Sequence, residues 1–283
     1  MNIIDGKAIS AKCKSETAEE IKRLTADGRR APCLAVILVG QDPASQVYVR
    51  NKKRACEAVG ITSLEYLLDE AETEENLLTL IDALNKDDDV DGILVQMPVP
   101  KQIDPDKVID SISPDKDVDA FHCYNVGKLF TGAPRFQPCT PAGVMRLLAE
   151  SGVEVAGKNC VVVGRSNIVG KPMGALLLAE NGTVTICHSR TKNLSDFTKN
   201  ADILIAACGR PAMITGDMVK EGAVLIDVGI NRVDNKLIGD LDYESCAPKA
   251  SFITPVPGGV GPMTIAMLMD NTLTSYKARF GLK

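Results

Sequence analysis

The chain has 283 residues, 45% of them hydrophobic and 24% charged, with a formal net charge of −5. That length suits one large or two modest domains and can bury a core without a metal or disulfide staple. Acidic and basic residues are interspersed, so no Lys/Arg block marks a nucleic-acid binder, and the longest apolar run, residues 33–39, is too short to cross a bilayer.

The N-terminus, Met1-Asn2-Ile3-Ile4-Asp5-Gly6, lacks the basic-to-apolar transition of a secretory signal. In chain order, strand-type apolar runs fall at 34–39, 64–68, 92–96, 159–163, 183–187, 203–207 and 224–228. They are rich in Val, Ile and Leu without strict alternation, as strands buried on both faces should be. Helical spacing at 43–59, 74–85 and 173–180 alternates with them, which predicts parallel sheets with helices on both sides. Residues 103–141 are rich in Pro, Asp and Gly and read as a connector and cleft wall between two domains. A helix is expected over 140–150, and a strong amphipathic helix over 262–279, after a glycine-rich loop; the sequence leaves open which domain that last helix joins. The fold class is α/β, with an N-terminal α/β catalytic domain at 1–120, a Rossmann-like domain at 121–261 and a cleft between them.

Nine cysteines are scattered without a C-x-x-C pair, which favours free, mostly buried thiols in a reducing cytoplasm. Only two histidines, His122 and His188, are present, so a His-rich metal cluster is excluded and no metal is expected.

The sharpest local feature is Lys158-Asn159-Cys160-Val161-Val162-Val163-Gly164-Arg165-Ser166-Asn167-Ile168-Val169-Gly170-Lys171-Pro172. A buried strand runs into a glycine turn and then a helix with Pro172 in its first turn. Free backbone N–H groups and the helix dipole meet a pyrophosphate in such an arrangement. The spacing is neither G-x-G-x-x-G nor a P-loop. An NAD-specific unit carries an acidic residue after its second strand. Here that strand ends in His188-Ser189-Arg190, so a hydroxyl and basic groups, with Arg165 from the first turn, suit the 2′-phosphate of NADP. A plain strand–helix connection and a solvated polar loop are the alternatives.

In the first half, Asp42-Pro43 starts a helix on which Tyr48 and Lys52 lie four residues apart on one face. A lone Tyr and Lys would ordinarily be a surface pair. Gln96, however, follows an apolar strand at its carboxyl end, where α/β sites sit, and Asp117-Val118-Asp119 lies in the connector.

Several motifs in order, Tyr48-Val49-Arg50-Asn51-Lys52-Lys53, Val95-Gln96-Met97-Pro98, Asp115-Lys116-Asp117-Val118-Asp119, Pro138-Cys139-Thr140-Pro141, the Gly164–Pro172 turn and Thr254-Pro255-Val256-Pro257-Gly258-Gly259-Val260-Gly261-Pro262, resemble those of the FolD family. These are bifunctional methylenetetrahydrofolate dehydrogenase/methenyltetrahydrofolate cyclohydrolases of one-carbon metabolism, and the motifs cover essentially the whole chain. The resemblance implies that Lys52 is the cyclohydrolase catalytic residue, with Gln96 tuning its protonation. It implies that Tyr48 stacks on the folate's aminobenzoyl ring and that Asp119 hydrogen-bonds the pterin. Pro257, Gly258, Gly259, Val260 and Gly261 would border the substrate. Gly164, Arg165, Ser166 and Ser189 would hold NADP, and Ile230 would meet its nicotinamide end through the backbone. The terminal helix would return to the N-terminal domain, and the enzyme would be a cytoplasmic homodimer with no nucleic-acid or membrane partner. Where the family usually reads Asp-Val-Asp-Gly, this chain has Ala120, strained if its φ is positive.

Hydride transfer to a nicotinamide needs ring alignment more than an acid or base. Hydration of a methenyl cation needs an activated water, and a lysine assists only if its surroundings lower its pKa. Three rivals remain: a dehydrogenase without the cyclohydrolase step, a catalytically silent NADP-binding module, and a shikimate-type dehydrogenase. Lys52, the first-half motifs and the loop from Pro257 to Pro262 argue against them in turn.

Overall fold

The computed structural model describes residues 1–234 and 236–282. The chain divides into two compact units, a first formed by Lys12–Cys139 with Ile265–Lys283 and a second formed by Met1–Ala11 with Thr140–Thr264. Strand β1 (Asn2–Ile3) and helix α1 (Gly6–Thr25) open the chain. Asp5 caps that helix, its Oδ1 accepting from Lys7 N at 3.0 Å and Ala8 N at 3.1 Å.

In the first unit β2 (Cys33–Val39), α2 (Pro43–Val59), β3 (Thr62–Leu68), α3 (Glu74–Lys86) and β4 (Gly92–Val95) alternate. The strands pair in parallel in the order β3-β2-β4. Every residue of the central β2 is buried, which accounts for its unbroken apolar run. The ends of α2 are set locally. Asp42 Oδ2 accepts from Ser45 N at 2.8 Å, Pro43 takes the first position, and Gly60 closes the helix at φ 86. Helices α4 (Pro105–Ser111) and α5 (Cys123–Phe130) follow. Residues 121–139, which the sequence reading groups with the second domain, lie in the first unit. Asp117 ties them there, its Oδ2 accepting from His122 N at 2.9 Å and from Asn125 Nδ2 at 2.8 Å.

The second unit contains α6 (Cys139–Glu150, from Thr140 on), β5 (Asn159–Val163), α7 (Gly170–Ala179), β6 (Thr183–Cys187), α8 (Leu194–Thr198), β7 (Ile203–Ala206) and β8 (Val224–Asp227). A short hairpin of β9 (Asn231–Val233) and β10 (Lys236–Ile238), helix α9 (Tyr243–Cys246) and β11 (Phe252–Ile253) complete it. Its sheet runs β1-β11-β8-β7-β5-β6, parallel throughout. The chain steps from β5 outward to β6 and then crosses to β7 on the other side of β5. Such a switch point opens a crevice at the carboxyl ends of the strands, where nucleotides bind in doubly wound sheets.

The last helix, α10 (Val260–Arg279), departs from the amphipathic pattern expected of it. Between residues 260 and 276 only Asp270 is exposed, so the helix is buried around almost its whole circumference. From Ile265 on it belongs to the first unit. Its inward polar groups are all paired there. Asn271 Nδ2 donates to Val118 O at 2.8 Å and Gln137 O at 2.9 Å, Ser275 Oγ to Asp91 O at 2.6 Å, and Tyr276 OH to Arg30 O at 2.9 Å. All nine cysteines are free, and seven are buried.

Candidate active site

Helix α2 presents Tyr48 and Lys52 one turn apart, but to different surroundings. Tyr48 is 43% exposed, whereas Lys52 is 9% exposed. The Lys52 Nζ donates to Gln96 Oε1 at 2.9 Å, and Gln96 Nε2 donates to Met97 O at 2.8 Å. The second bond turns the amide so that its oxygen faces the lysine. Gln96 itself is placed by β2, its N–H donating to Ile37 O at 2.8 Å.

Burial lowers the Lys52 pKa from its ordinary 10.5, and the negative charge of Asp119 opposes the shift without cancelling it. Asp119 is driven the other way: burial raises its pKa and Lys52 pulls it back. Cys139 stands beside both. Its Sγ donates to Val118 O at 3.5 Å and to Asp119 Oδ1 at 3.7 Å, and burial lifts its pKa well above 9.0, so it stays a neutral thiol. The result is a largely desolvated amine with one amide acceptor and one carboxylate nearby, which gives up its proton more readily than an exposed lysine does.

Asp119 is held through its neighbours' backbone. Ile93 N donates to Lys116 O at 2.8 Å, and Asn271 fastens Val118 O from α10. Ala120 adopts φ 60 and is 1% exposed, so the condition under which its Cβ is strained is met.

In the second unit Gly164 turns at φ 144, and a Cβ on it would lie 2.1 Å from Ala207 O, so only glycine fits between β5 and β7. The N–H groups of Arg165, Ser166, Asn167 and Ile168 then donate to no acceptor among the described residues. Ser166 Oγ accepts from Val169 N at 3.1 Å and Gly170 N at 3.2 Å, which starts α7 and leaves its hydroxyl proton free to donate. Free donors at a helix N-terminus form an anion cradle that fits a pyrophosphate. Because Val163 pairs with Cys187, the segment carrying Arg165 lies beside the one carrying Ser189 and Arg190, all exposed and with no carboxylate among them. That chemistry fits a 2′-phosphate. Ile230 and the loop from Pro257 to Gly261 line one cavity of about 180 Å³, together with Lys7 and Asp227.

Cys139, Asn271 and Lys7 are the neighbours that the sequence reading assigns no role. Cys139 stands in a motif, but nothing local marks Asn271. A grouping of Asp110, His122 and Cys123 brings ligand-type atoms within 4.8 Å, yet His122 Nδ1 already accepts from Tyr124 N at 3.1 Å as the cap of α5. No described helix is long and apolar enough to cross a membrane.

A doubly wound sheet with an anion cradle, and a second α/β unit with a desolvated lysine, define a two-domain dinucleotide-dependent enzyme. Residues 4–119 match the family described as tetrahydrofolate dehydrogenase/cyclohydrolase, catalytic domain, and residues 138–280 match its NAD(P)-binding domain. The chain belongs to the tetrahydrofolate dehydrogenase/cyclohydrolase family. It is 60% identical over 282 residues to the bifunctional protein FolD of Acetivibrio thermocellus, covering 99% of each chain. Its structure is similar to that of the bifunctional enzyme FolD from Campylobacter jejuni, with a TM-score of 0.96, 52% identity and 99% of each chain covered. It is also similar to the Trypanosoma brucei FolD complexed with NADP cofactor and inhibitor, with a TM-score of 0.94, 38% identity, and 98% and 97% of the two chains covered.

The strain at Ala120 gives a stability test. Left-handed backbone costs a residue with a Cβ about 1–2 kcal/mol. Glycine would relieve that but lose about 0.8 kcal/mol of methyl burial and about 0.5–1 kcal/mol of chain entropy. Ala120→Gly is therefore expected to change stability by less than about 1 kcal/mol. Ala120→Val, branched at Cβ and buried, is expected to lose more than about 2 kcal/mol. Urea denaturation of both variants checks this, and equal stabilities for Val and Ala would refute the strained conformation.

Proposed function

We propose that this protein oxidises 5,10-methylenetetrahydrofolate with NADP and hydrolyses the 5,10-methenyl product to 10-formyltetrahydrofolate. The observation that carries the reading is the buried Lys52, hydrogen-bonded to Gln96 in a chain that matches the family over both domains. A lysine loses solvation here with only partial electrostatic compensation, which is costly unless the neutral amine is used.

Bound at the Gly164 turn, NADP supplies the hydride acceptor. The free N–H groups from Arg165 to Ile168 and the Ser166 hydroxyl hold its pyrophosphate, and Arg165 and Ser189 hold its 2′-phosphate. Ile230 borders the nicotinamide end through its backbone. Tyr48, the exposed ring on α2, stacks on the aminobenzoyl group, and Asp119 accepts from the pterin. Pro257, Gly258, Gly259, Val260 and Gly261 border the substrate. Loss of hydride from the methylene carbon leaves the methenyl cation. Water then adds to that carbon and gives one proton to Lys52; the hydroxyl so formed releases its own proton to solvent as it becomes the formyl carbonyl, the carbon–nitrogen bond to N5 breaks, and N5 takes the proton back from Lys52. The cation next to Lys52 disfavours the ammonium further, so the amine is ready as a base when water attacks. Gln96 Oε1 orients the amine.

A homodimer belongs to this reading. Among the described residues strand β3 is an edge paired only with β2, and Leu67 on it is 68% exposed. Nine free thiols suit a reducing cytoplasm.

Three outcomes test these assignments. Lys52→Met keeps the side chain's length but removes its amine. Cyclohydrolase turnover is expected to fall by roughly 10²-fold or more while dehydrogenase activity survives in part. The limb of the cyclohydrolase pH profile that rises below 10.5, where the lowered Lys52 ionises, should vanish as well. Hydrolysis at the wild-type rate would remove Lys52 from the mechanism. Arg165→Ala is expected to raise the KM for NADP much more than that for NAD, by about 1.5–3 kcal/mol in binding. Equal losses with both cofactors would sink the 2′-phosphate assignment. Sedimentation at micromolar concentration should give twice the monomer mass of 30.2 kDa, and a monomer alone would contradict the dimer.

A further inference from the structure

Two buried carboxylates stand behind the cofactor loops of the second unit, and neither belongs to a recognised motif. Asp240 is 0% exposed and Asp227 4%. Asp240 Oδ2 accepts from Cys208 N at 2.6 Å and Gly209 N at 2.9 Å, while its Oδ1 accepts from Arg210 N at 2.9 Å and from Asn231 Nδ2 at 2.9 Å. One carboxylate thus collects three consecutive backbone donors from the loop after β7 and a side-chain donor from the segment after β8. Both segments leave the carboxyl ends of neighbouring strands, β7 beside the switch point and β8 next to it. The first contains Ala207, against which Gly164 packs, and the second contains Ile230. Gly229 has no room for a side chain, since a Cβ there would lie 2.2 Å from Asp240 Oδ1.

Asp227 secures Asp240 in turn. Its Oδ1 accepts from Asp240 N at 2.8 Å and Gly229 N at 3.0 Å, and its Oδ2 from Leu241 N at 2.9 Å. Burial pushes the Asp227 carboxyl up to about 6, against those three donors. Asp227 lines the cavity next to Ile230, whereas Asp240 lies behind it.

Three successive N–H groups converging on one point form a nest that in many proteins receives a ligand anion. Here an internal carboxylate fills it. Cys208, Gly209 and Arg210 therefore have no backbone N–H to offer a phosphate, and the pyrophosphate is left to the donors after Gly164. The carboxylate's job is to lock two loops together.

We infer that Asp240 is a positioning residue for hydride transfer: by clamping the loop after β7 to the segment that carries Ile230, it sets where the nicotinamide ring lies, without touching the cofactor. The inference rests on the cofactor site proposed above. Hydration at Lys52 requires no nicotinamide alignment, so the clamp acts on one activity of two.

Asp240→Asn keeps the shape but turns an amide NH₂ toward backbone donors, leaving at least one of them unpaired. The KM for NADP is expected to rise at least about tenfold, with dehydrogenase kcat falling too, while hydrolysis of methenyltetrahydrofolate stays within about twofold of wild type. Asn231→Ala removes only the side-chain arm of the clamp and should raise the NADP KM by about threefold, again sparing hydrolysis. Both steps are assayed separately on each purified variant. Equal loss of both activities in a folded Asp240→Asn protein would make the residue a general structural one and overturn the inference, as would an unchanged NADP KM. If Asp240→Asn does not fold, Asn231→Ala decides, and an unchanged KM in it is equally fatal. Failure of the cofactor reading itself is distinguishable, because the wild-type protein would then show no NADP reduction with the folate.

Discussion

A carboxylate removed from water must find donors, and four buried aspartates of this chain find theirs in backbone N–H groups, with Arg30 and two asparagine amides beside them. Asp91, Asp117, Asp227 and Asp240 are each 4% exposed or less. Asp91 accepts from Cys33 N at 2.8 Å and from the Arg30 guanidinium at 2.7 and 2.9 Å. The other three draw on the backbone N–H groups of residues 122, 208–210, 229, 240 and 241. Each such donor would cost about 1–3 kcal/mol if buried and unpaired. The loops therefore cannot relax without exposing an anion that is stable only while they surround it. Irregular segments at the ends of strands become as determinate as the strands, which a site assembled on loops requires.

The lysine centre applies the opposite rule. Lys52 is buried with one amide acceptor at 2.9 Å and, among the described residues, no hydrogen-bonded carboxylate. Asp119 acts on it only through its field, and burial prevails, so the amine's pKa falls. A carboxylate in direct contact, as Asp91 is with Arg30, would hold the charge in place. Leaving the lysine incompletely compensated costs folding free energy and provides a base.

Much of this was legible in the sequence, for reasons that can be located. Strands 159–163 and 183–187 and helix 43–59 have the expected bounds, because they rest on local signals: unbroken Val/Ile runs, Asp42 with Pro43, and helical spacing. The Gly164 turn was visible because a buried strand, a glycine and a helix with Pro172 in its first turn follow one another directly, although a plain strand–helix connection reads the same way. Other features depend on partners far along the chain. Strands β1 and β11 have two residues each and exist through pairing across some 250 positions. Helix α10 reads as amphipathic until Asn271 meets Val118, 153 residues away, and Ser275 meets Asp91, 184 residues away. A small polar residue on a helix is solvent-facing or buried and paired, and spacing does not distinguish the two. Asp240 was unreadable for the same reason, since its donors lie 9 to 32 positions away on other loops.

Asp117 and Asp119 show the division most clearly, two residues apart in one loop. Asp117 is 2% exposed, and one of its oxygens already takes His122 N and Asn125 Nδ2. It orders the connector and has little capacity left for anything else. Asp119 is partly exposed, and among the described residues its carboxylate receives only the weak thiol donor of Cys139 at 3.7 Å. Its position comes instead from the backbone on either side, through Asn271 on Val118 and the bond from Ala120 N to Asp117 O at 3.1 Å. A side chain placed entirely by its neighbours keeps its acceptor sites open. That is the condition for a carboxylate to be both well positioned and available to a ligand, and the strain at Ala120 is part of what it costs.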